Sequence, residues 1–171
     1  MKNVLITGAS GGIGKAVALA FAKQGYGVAL HFHTGEKSAQ KTAEEIGQMG
    51  GKAEIFGADL TSEANVEEMF RRAEEAFGFF SVLVNNAGAD WKGLLTDMTL
   101  SEWEKLFAVN CTGTFLCCRR ALKKMVREHA GSIVNISSTF ASLVRSAPKI
   151  SALPPICPIS SAVFWADFSP V

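Results

Sequence analysis

Val4-Leu5-Ile6-Thr7-Gly8-Ala9-Ser10-Gly11-Gly12-Ile13-Gly14, running on into the alanine-rich stretch Ala16–Lys23, decides the fold. An apolar run ends in a cluster of glycines and a helix-forming segment resumes directly behind it, which is how a strand feeds a helix through a phosphate-binding turn. Glycine has three separate jobs there. One residue turns tightly, one lets the backbone approach a pyrophosphate, and one lets the helix pack against the strand. Gly8, Gly12 and Gly14 stand where those jobs fall, and Ser10 and Ile13 share the same turn. A helix opening near Gly12 directs free amides and the positive end of its dipole at the phosphates. A dinucleotide is the expected ligand.

Outward from this turn the chain alternates strand and helix. Apolar strands are expected at residues 3–7, 28–33, 53–58, 81–84 and 132–136, with helices at 12–24, 36–49 and 62–77 between them. Gly25 and the Gly50–Gly51 pair end the first two helices, and Thr61–Ser62 caps the third. Val66, Met69, Phe70, Ala73 and Phe77 lie on one helical face. Ser101 with Glu104 reads as a capping box opening one long helix that carries Trp103, Leu106, Phe107, Phe115, Leu116 and Leu122 as core. Such repeats joined by right-handed crossovers give an α/β fold, a doubly wound parallel sheet of the Rossmann kind.

At 171 residues the chain is expected to bury roughly 68–70% of its unfolded surface around one core. Its 17 basic and 16 acidic side chains leave a net charge of +1 with no basic stripe, so neither nucleic acid nor a membrane surface is expected as a partner. The opening residues 1–7 read as the first strand and not as a signal peptide, and no apolar run approaches the ~18 residues of a membrane span. Cys111, Cys117, Cys118 and Cys157 lack ligand spacing and read as thiols of a reducing cytoplasm. His31 and His33 share one face of the second strand. Without a third ligand nearby they read as ordinary polar strand positions, and no metal site is expected.

The second strand ends His31-Phe32-His33-Thr34, where an NAD site would place a carboxylate for the ribose 2′-hydroxyl. With none there, NADP is expected over NAD, and His33, Lys37 and Ser10 are positioned to hold its 2′-phosphate.

With these motifs in order, the chain resembles the short-chain dehydrogenase/reductase family, and within it the 3-oxoacyl-(acyl-carrier-protein) reductases, over residues 1–138. Thr7–Gly14 is similar to the family's Thr-Gly-x-x-x-Gly-x-Gly turn. Asp59-Leu60 resembles the pair that meets the adenine. Asn85-Asn86-Ala87-Gly88 resembles the Asn-Asn-Ala-Gly motif that steadies the sheet and lines the adenosine side of the cleft. Asn110 and Ser138 fall where the family has its catalytic asparagine and serine. The resemblance implies reversible hydride transfer between a nicotinamide and a carbonyl carbon, a small or carrier-borne ketone as substrate in fatty acid synthesis, and a homotetramer. It also implies a tyrosine to protonate the carbonyl oxygen, with a lysine four residues beyond it. The only tyrosine in the chain is Tyr26. Where Tyr-x-x-x-Lys is expected, this sequence has Ser151 and Pro155.

The residues beyond Ser138 differ in kind. All five prolines fall there, whereas the last of 16 glycines is Gly131. Only Arg145, Lys149 and Asp167 are charged after Ser138. The expectation is a nucleotide-binding domain at 1–138, then a proline-rich tail at 139–171 that is no domain of its own. A change of reading frame or a splice-like change near residues 140–150 is the expected cause of the abrupt shift, with the family's later strands and helices missing and the fifth strand left as an edge. Three readings stay open: a truncated ketone reductase, a non-catalytic nucleotide-binding protein, and an unstable product without a role.

Overall fold

The computed structural model describes residues 2–137; Ser138 and the tail at 139–171 lie outside the described residues. Five strands make the sheet: β1 (Asn3–Ile6), β2 (Gly27–Phe32), β3 (Ala53–Gly57), β4 (Val82–Asn85) and β5 (Ser132–Asn135). They pair in parallel in the order β3-β2-β1-β4-β5, with Ile6 beside both Leu30 and Val84. Between them run α1 (Gly12–Lys23), α2 (Glu36–Gln48), α3 (Glu63–Phe77), α4 (Leu100–Phe107) and α5 (Thr114–Met125). The expected doubly wound parallel sheet is present. Among the described residues β5 ends the sheet on one side.

Side chains along β1 alternate between the two faces of the sheet, and all are buried because helices cover both. Val4 and Ile6 join Ala18, Val28, Leu30, Ile46 and Val84 under α1 and α2. Leu5 instead joins Phe56, Met69, Phe70, Leu83, Leu116 and Ile133 under α3 and α5. Burying one such aliphatic or aromatic side chain contributes about 1.5–3 kcal/mol, so these two layers hold the sheet flat against its helices. Order reverses at β1: the chain leaves it for β2 on one side and returns from β3 to β4 on the other. Ligands of open α/β sheets bind at that switch, outside the carboxyl ends of the strands.

Two sequence-based expectations are corrected. The capping box is Thr99 with Glu102, not Ser101 with Glu104: the Glu102 amide donates to Thr99 Oγ1 at 3.3 Å, and the Thr99 amide donates to Glu102 Oε2 at 2.8 Å. Both pairs satisfy the spacing; the helix begins at Leu100, so Thr99, in extended backbone, is its N-cap and Ser101 already lies inside the first turn. The expected long helix is also interrupted, by a wide π turn over Ala108–Gly113. One added residue advances the helical face by about 100°. The inward residues of α5 are therefore Leu116, Cys117, Ala121 and Met125, while Phe115 and Leu122, expected in the core, are 53% and 36% exposed.

Candidate nucleotide-binding site

The turn between β1 and α1 is locked to the turn after β4. Thr7 donates its amide to the Val84 carbonyl at 2.9 Å, and its hydroxyl oxygen accepts from the amides of Asn86 and Ala87, each at 3.0 Å. Asn86 answers with its side-chain amide, which donates to the carbonyls of Thr7 at 3.1 Å and Gly8 at 2.9 Å. Thr7 is thus the joint between the two motifs; sequence reasoning saw it only as a letter of the glycine turn. The signal was its hydroxyl at the end of an apolar strand, where a buried polar group needs partners.

The three glycines prove unequal. Gly8 has φ +64°, and a Cβ there would lie 2.7 Å from Ala87 Cα. At Gly14 a Cβ would meet the Gly8 carbonyl oxygen at 2.5 Å and Ala9 Cα at 2.8 Å. Both are demanded by the protein's own packing. A Cβ on Gly12 would meet nothing within 4 Å. Gly12 opens α1, so its amide and that of Ile13, 62% exposed, have no acceptor inside the helix. The opening is a cradle that the fold leaves free, and its chemistry fits a phosphate.

Around this turn the structure gathers most of the remaining expected residues. Ser10 packs against Gly35, where a Cβ would come within 2.5 Å of Ser10 Cβ, and its carbonyl accepts from Ser38 Oγ at 2.9 Å. His33 lies just past the end of β2, exposed. Asp59 follows β3; its carboxylate accepts from the Thr61 amide at 2.9 Å and the Thr61 hydroxyl at 2.7 Å, which hold its pKa below the ordinary carboxylate value, and His33 acts in the same direction. Leu60 is buried against Gly113 of the π turn.

Asn110 stands on that π turn and grips one backbone unit from both sides. Its Oδ1 accepts from the Ala89 amide at 2.8 Å and its Nδ2 donates to the Ala89 carbonyl at 3.0 Å. Asn110 is thereby brought to the segment Asn86–Gly88, with its Oδ1 3.2 Å from where a Gly88 Cβ would be. Before that segment, Asn85 is buried and donates to Asn135 Oδ1 at 2.8 Å and to Cys118 Sγ at 3.2 Å, tying β4 to β5 and α5. Ser138, the expected catalytic serine, lies outside the described residues. Tyr26 sits at the opposite, amino-terminal end of β2, edge-on to Phe21 with ring centroids 5.1 Å apart, and cannot reach the site.

His31 corrects the reading of an ordinary polar strand position. It is 1% exposed and fully engaged: Nδ1 accepts from the Gly8 amide at 3.1 Å, and Nε2 lies 3.1 Å from the Ala58 carbonyl. A histidine inside the apolar run of a strand next to the central one was the signal available. Among the described residues no group of histidine, cysteine and carboxylate side chains could hold a metal, and no helix is long and apolar enough to cross a membrane.

Known proteins resemble this chain in sequence and fold. Glucose 1-dehydrogenase 2 of Bacillus subtilis is 37% identical over 146 residues, 84% of this chain and 57% of that protein. The 3-oxoacyl-(acyl-carrier-protein) reductase FabG of Staphylococcus aureus is 35% identical over 142 residues, covering 83% and 58%. A crystal structure from Agrobacterium tumefaciens, provisionally assigned as a gluconate dehydrogenase, superposes with a TM-score of 0.75 at 32% identity, over 80% of this chain and 54% of that one. The chain thus spans little more than half the length of the relatives it matches. Members of the family bind nicotinamide dinucleotides. With the short chain dehydrogenase model matching residues 2–149 and the switch-point geometry in place, the chain belongs to the short-chain dehydrogenase/reductase family.

Proposed function

We propose that this chain carries the nucleotide-binding half of an NADP-dependent reductase that takes a 3-oxoacyl group on an acyl carrier protein, or a similar ketone, to the 3-hydroxy form. Gly12 is the observation that carries the nucleotide reading. The fold has no steric need of a glycine there, yet the position faces open space at the free end of α1, beside the switch in strand order. The amides of Gly12 and Ile13 would hold the pyrophosphate. Asp59 and Leu60 would border the adenine, and Asn86, Ala87 and Gly88 the adenosine side. Ser10, His33 and Lys37 would meet a 2′-phosphate; the first carboxylate after β2 is Glu36, in the first turn of α2. A bound NADPH supplies hydride. From the chain itself, Ser138 would hold the carbonyl oxygen of the ketone, and Asn110 a water of the proton relay.

A second reading, a nucleotide-binding chain without turnover, is favoured by the position of Tyr26, which leaves no tyrosine to donate the proton. Titrating NADPH and NADH into the chain and into Gly12→Ala tests the nucleotide reading. The expected result is NADPH bound more tightly than NADH, with Gly12→Ala weakening both at an unchanged melting temperature. Unaltered affinity in Gly12→Ala overturns the site, and equal affinity for the two nucleotides overturns the preference for NADP.

A further inference from the structure

His31 holds three strand ends together at once. Its ring reaches the Gly8 amide in the turn after β1 and the Ala58 carbonyl after β3, while its own carbonyl accepts from the Ala9 amide at 2.8 Å. The Gly8 and Ala9 amides of the turn are therefore both held by one residue of β2. Ala58 is followed directly by Asp59, so the far side of the ring holds the segment that carries the adenine-side carboxylate.

The partners fix the proton on the ring. Gly8 presents a donor, so Nδ1 must carry a lone pair; Ala58 presents an acceptor, so Nε2 must carry the hydrogen. Only the neutral Nε2–H form satisfies both. A second proton would set Nδ1–H against the Gly8 N–H, donor facing donor, and would release the turn. Gly8 has φ +64°, a conformation that glycine leaves as readily as it enters, so the turn needs an outside hold.

We infer that His31 is a positioning residue of the nucleotide site, its neutral ring setting the phosphate turn and the adenine-side segment together, so that nucleotide affinity falls when the ring is protonated or replaced by an apolar side chain. This inference rests on the nucleotide reading above. Burial holds the His31 pKa below the ordinary 6.5, and the neighbouring His33 on the same strand end pushes it the same way. From the β3 side the charged group is Asp59, whose carboxylate is engaged by Thr61; on α3 and α5, which cover the face of β2 that His31 shares with Ala29, Arg119 is paired with Glu63 and Arg120 with Glu67 and Glu74. Since the folded ring resists the proton that the unfolded chain accepts, its contribution to stability is full above about pH 6.5 and is lost as pH falls through the lower, folded value.

The test compares the unmodified chain, His31→Asn and His31→Leu by titration with NADPH from about pH 7.5 down to about pH 5. Asparagine keeps an acceptor where Nδ1 stands but does not titrate. The unmodified chain should lose affinity toward the acid end, and His31→Asn should bind nearly independently of pH. His31→Leu should bind about 10- to 100-fold more weakly throughout, the range set by one orphaned buried amide. His33 is present in all three, so the difference between unmodified chain and His31→Asn reports on His31. Imidazole nitrogen NMR of the nucleotide-free chain should find the Nε2–H tautomer at neutral pH. Failure of the unmodified chain to bind NADPH at any pH overturns the nucleotide reading and this inference with it. Binding that is intact in His31→Leu, or as pH-dependent in His31→Asn as in the unmodified chain, overturns the positioning role alone, as does a ring found charged or protonated only at Nδ1.

Discussion

The turn after β1 and the segment around α4 both border the same switch point, yet they are built in opposite ways. Within Thr7–Gly14 the backbone around the open Gly12 is fixed by the Thr7 hydroxyl and the Asn86 amide across to β4, by His31 from β2, and by glycines at two points where no Cβ fits. In α4 no residue is buried. Leu94 and Leu100 are 70% and 71% exposed, and an open groove of about 420 Å3 is lined by Leu95, Met98, Thr99, Leu100 and Trp103. The Asn110 grip on Ala89, the capping box with its neighbour Trp91, whose Nε1 donates to Glu102 at 3.1 Å, and the Trp103–Phe107 ring pair at 4.5 Å steady this region. The turn after β1 is therefore set in advance by the chain's own packing. The segment around α4 is held largely by polar contacts at its edges.

If that contrast is sound, the largest effect is in turnover. The chain should reduce a 3-oxoacyl thioester at a rate roughly 10²–10⁴ below that of a relative with a positioned tyrosine and lysine, while still binding NADPH. A comparable rate in a steady-state assay would break the contrast at once. Translating the coding DNA in its other frames from about position 139 sharpens it: a Tyr-x-x-x-Lys near the level of Ser151 is expected, and stops in both frames would exclude a frame change.

Next in size, Gly14→Val should abolish nucleotide binding and lower the melting temperature together, because its side chain would run into the Gly8 carbonyl, the Ala9 backbone and the Asn86 side-chain amide. Calorimetry showing normal affinity in this variant would mean that the turn is softer than its contacts imply. Thr7→Val is milder. It keeps the shape of the side chain but leaves the amides of Asn86 and Ala87 without their shared acceptor, at a cost of about 1–3 kcal/mol for a buried donor. Denaturant unfolding measures it, and a change below that range would show that water replaces the hydroxyl.

How far the sequence could be read follows the same division. The glycine turn, the five strands and the ordered motifs were legible because each depends on residues close in sequence, through period, caps and turn chemistry. Thr7, His31 and the π turn were not, because each answers to a partner far along the chain. His31 looks like any polar residue at a strand end until β3 brings Ala58 beside it. The π turn has no local signature either: it lets Asn110 meet Ala89 while Gly113 lies against Leu60, two demands set by different parts of the fold. With it went the assignment of Phe115 and Leu122 to the core.

The smallest expected effect lies in the loosely built half. Thr99→Ala removes the oxygen that accepts from the Glu102 amide and the hydroxyl that donates to Glu102 Oε2, leaving only the backbone half of the capping box, a loss of about 0.5–2 kcal/mol to the helix it caps. In a helix packed into the core that loss would pass to the whole protein. Here α4 buries no residue, so its unfolding sacrifices little apolar contact and need not wait for the sheet to open. The expected outcome is faster amide exchange over residues 100–107, with the global melting temperature and NADPH affinity nearly unchanged. Ser101→Ala is the matched control: its side chain is exposed and was the cap expected from spacing alone, so exchange in α4 should not respond to it. A fall in global stability with Thr99→Ala would show α4 to be coupled to the sheet after all, through Asn110 and the π turn, and the two halves would then be one cooperative unit.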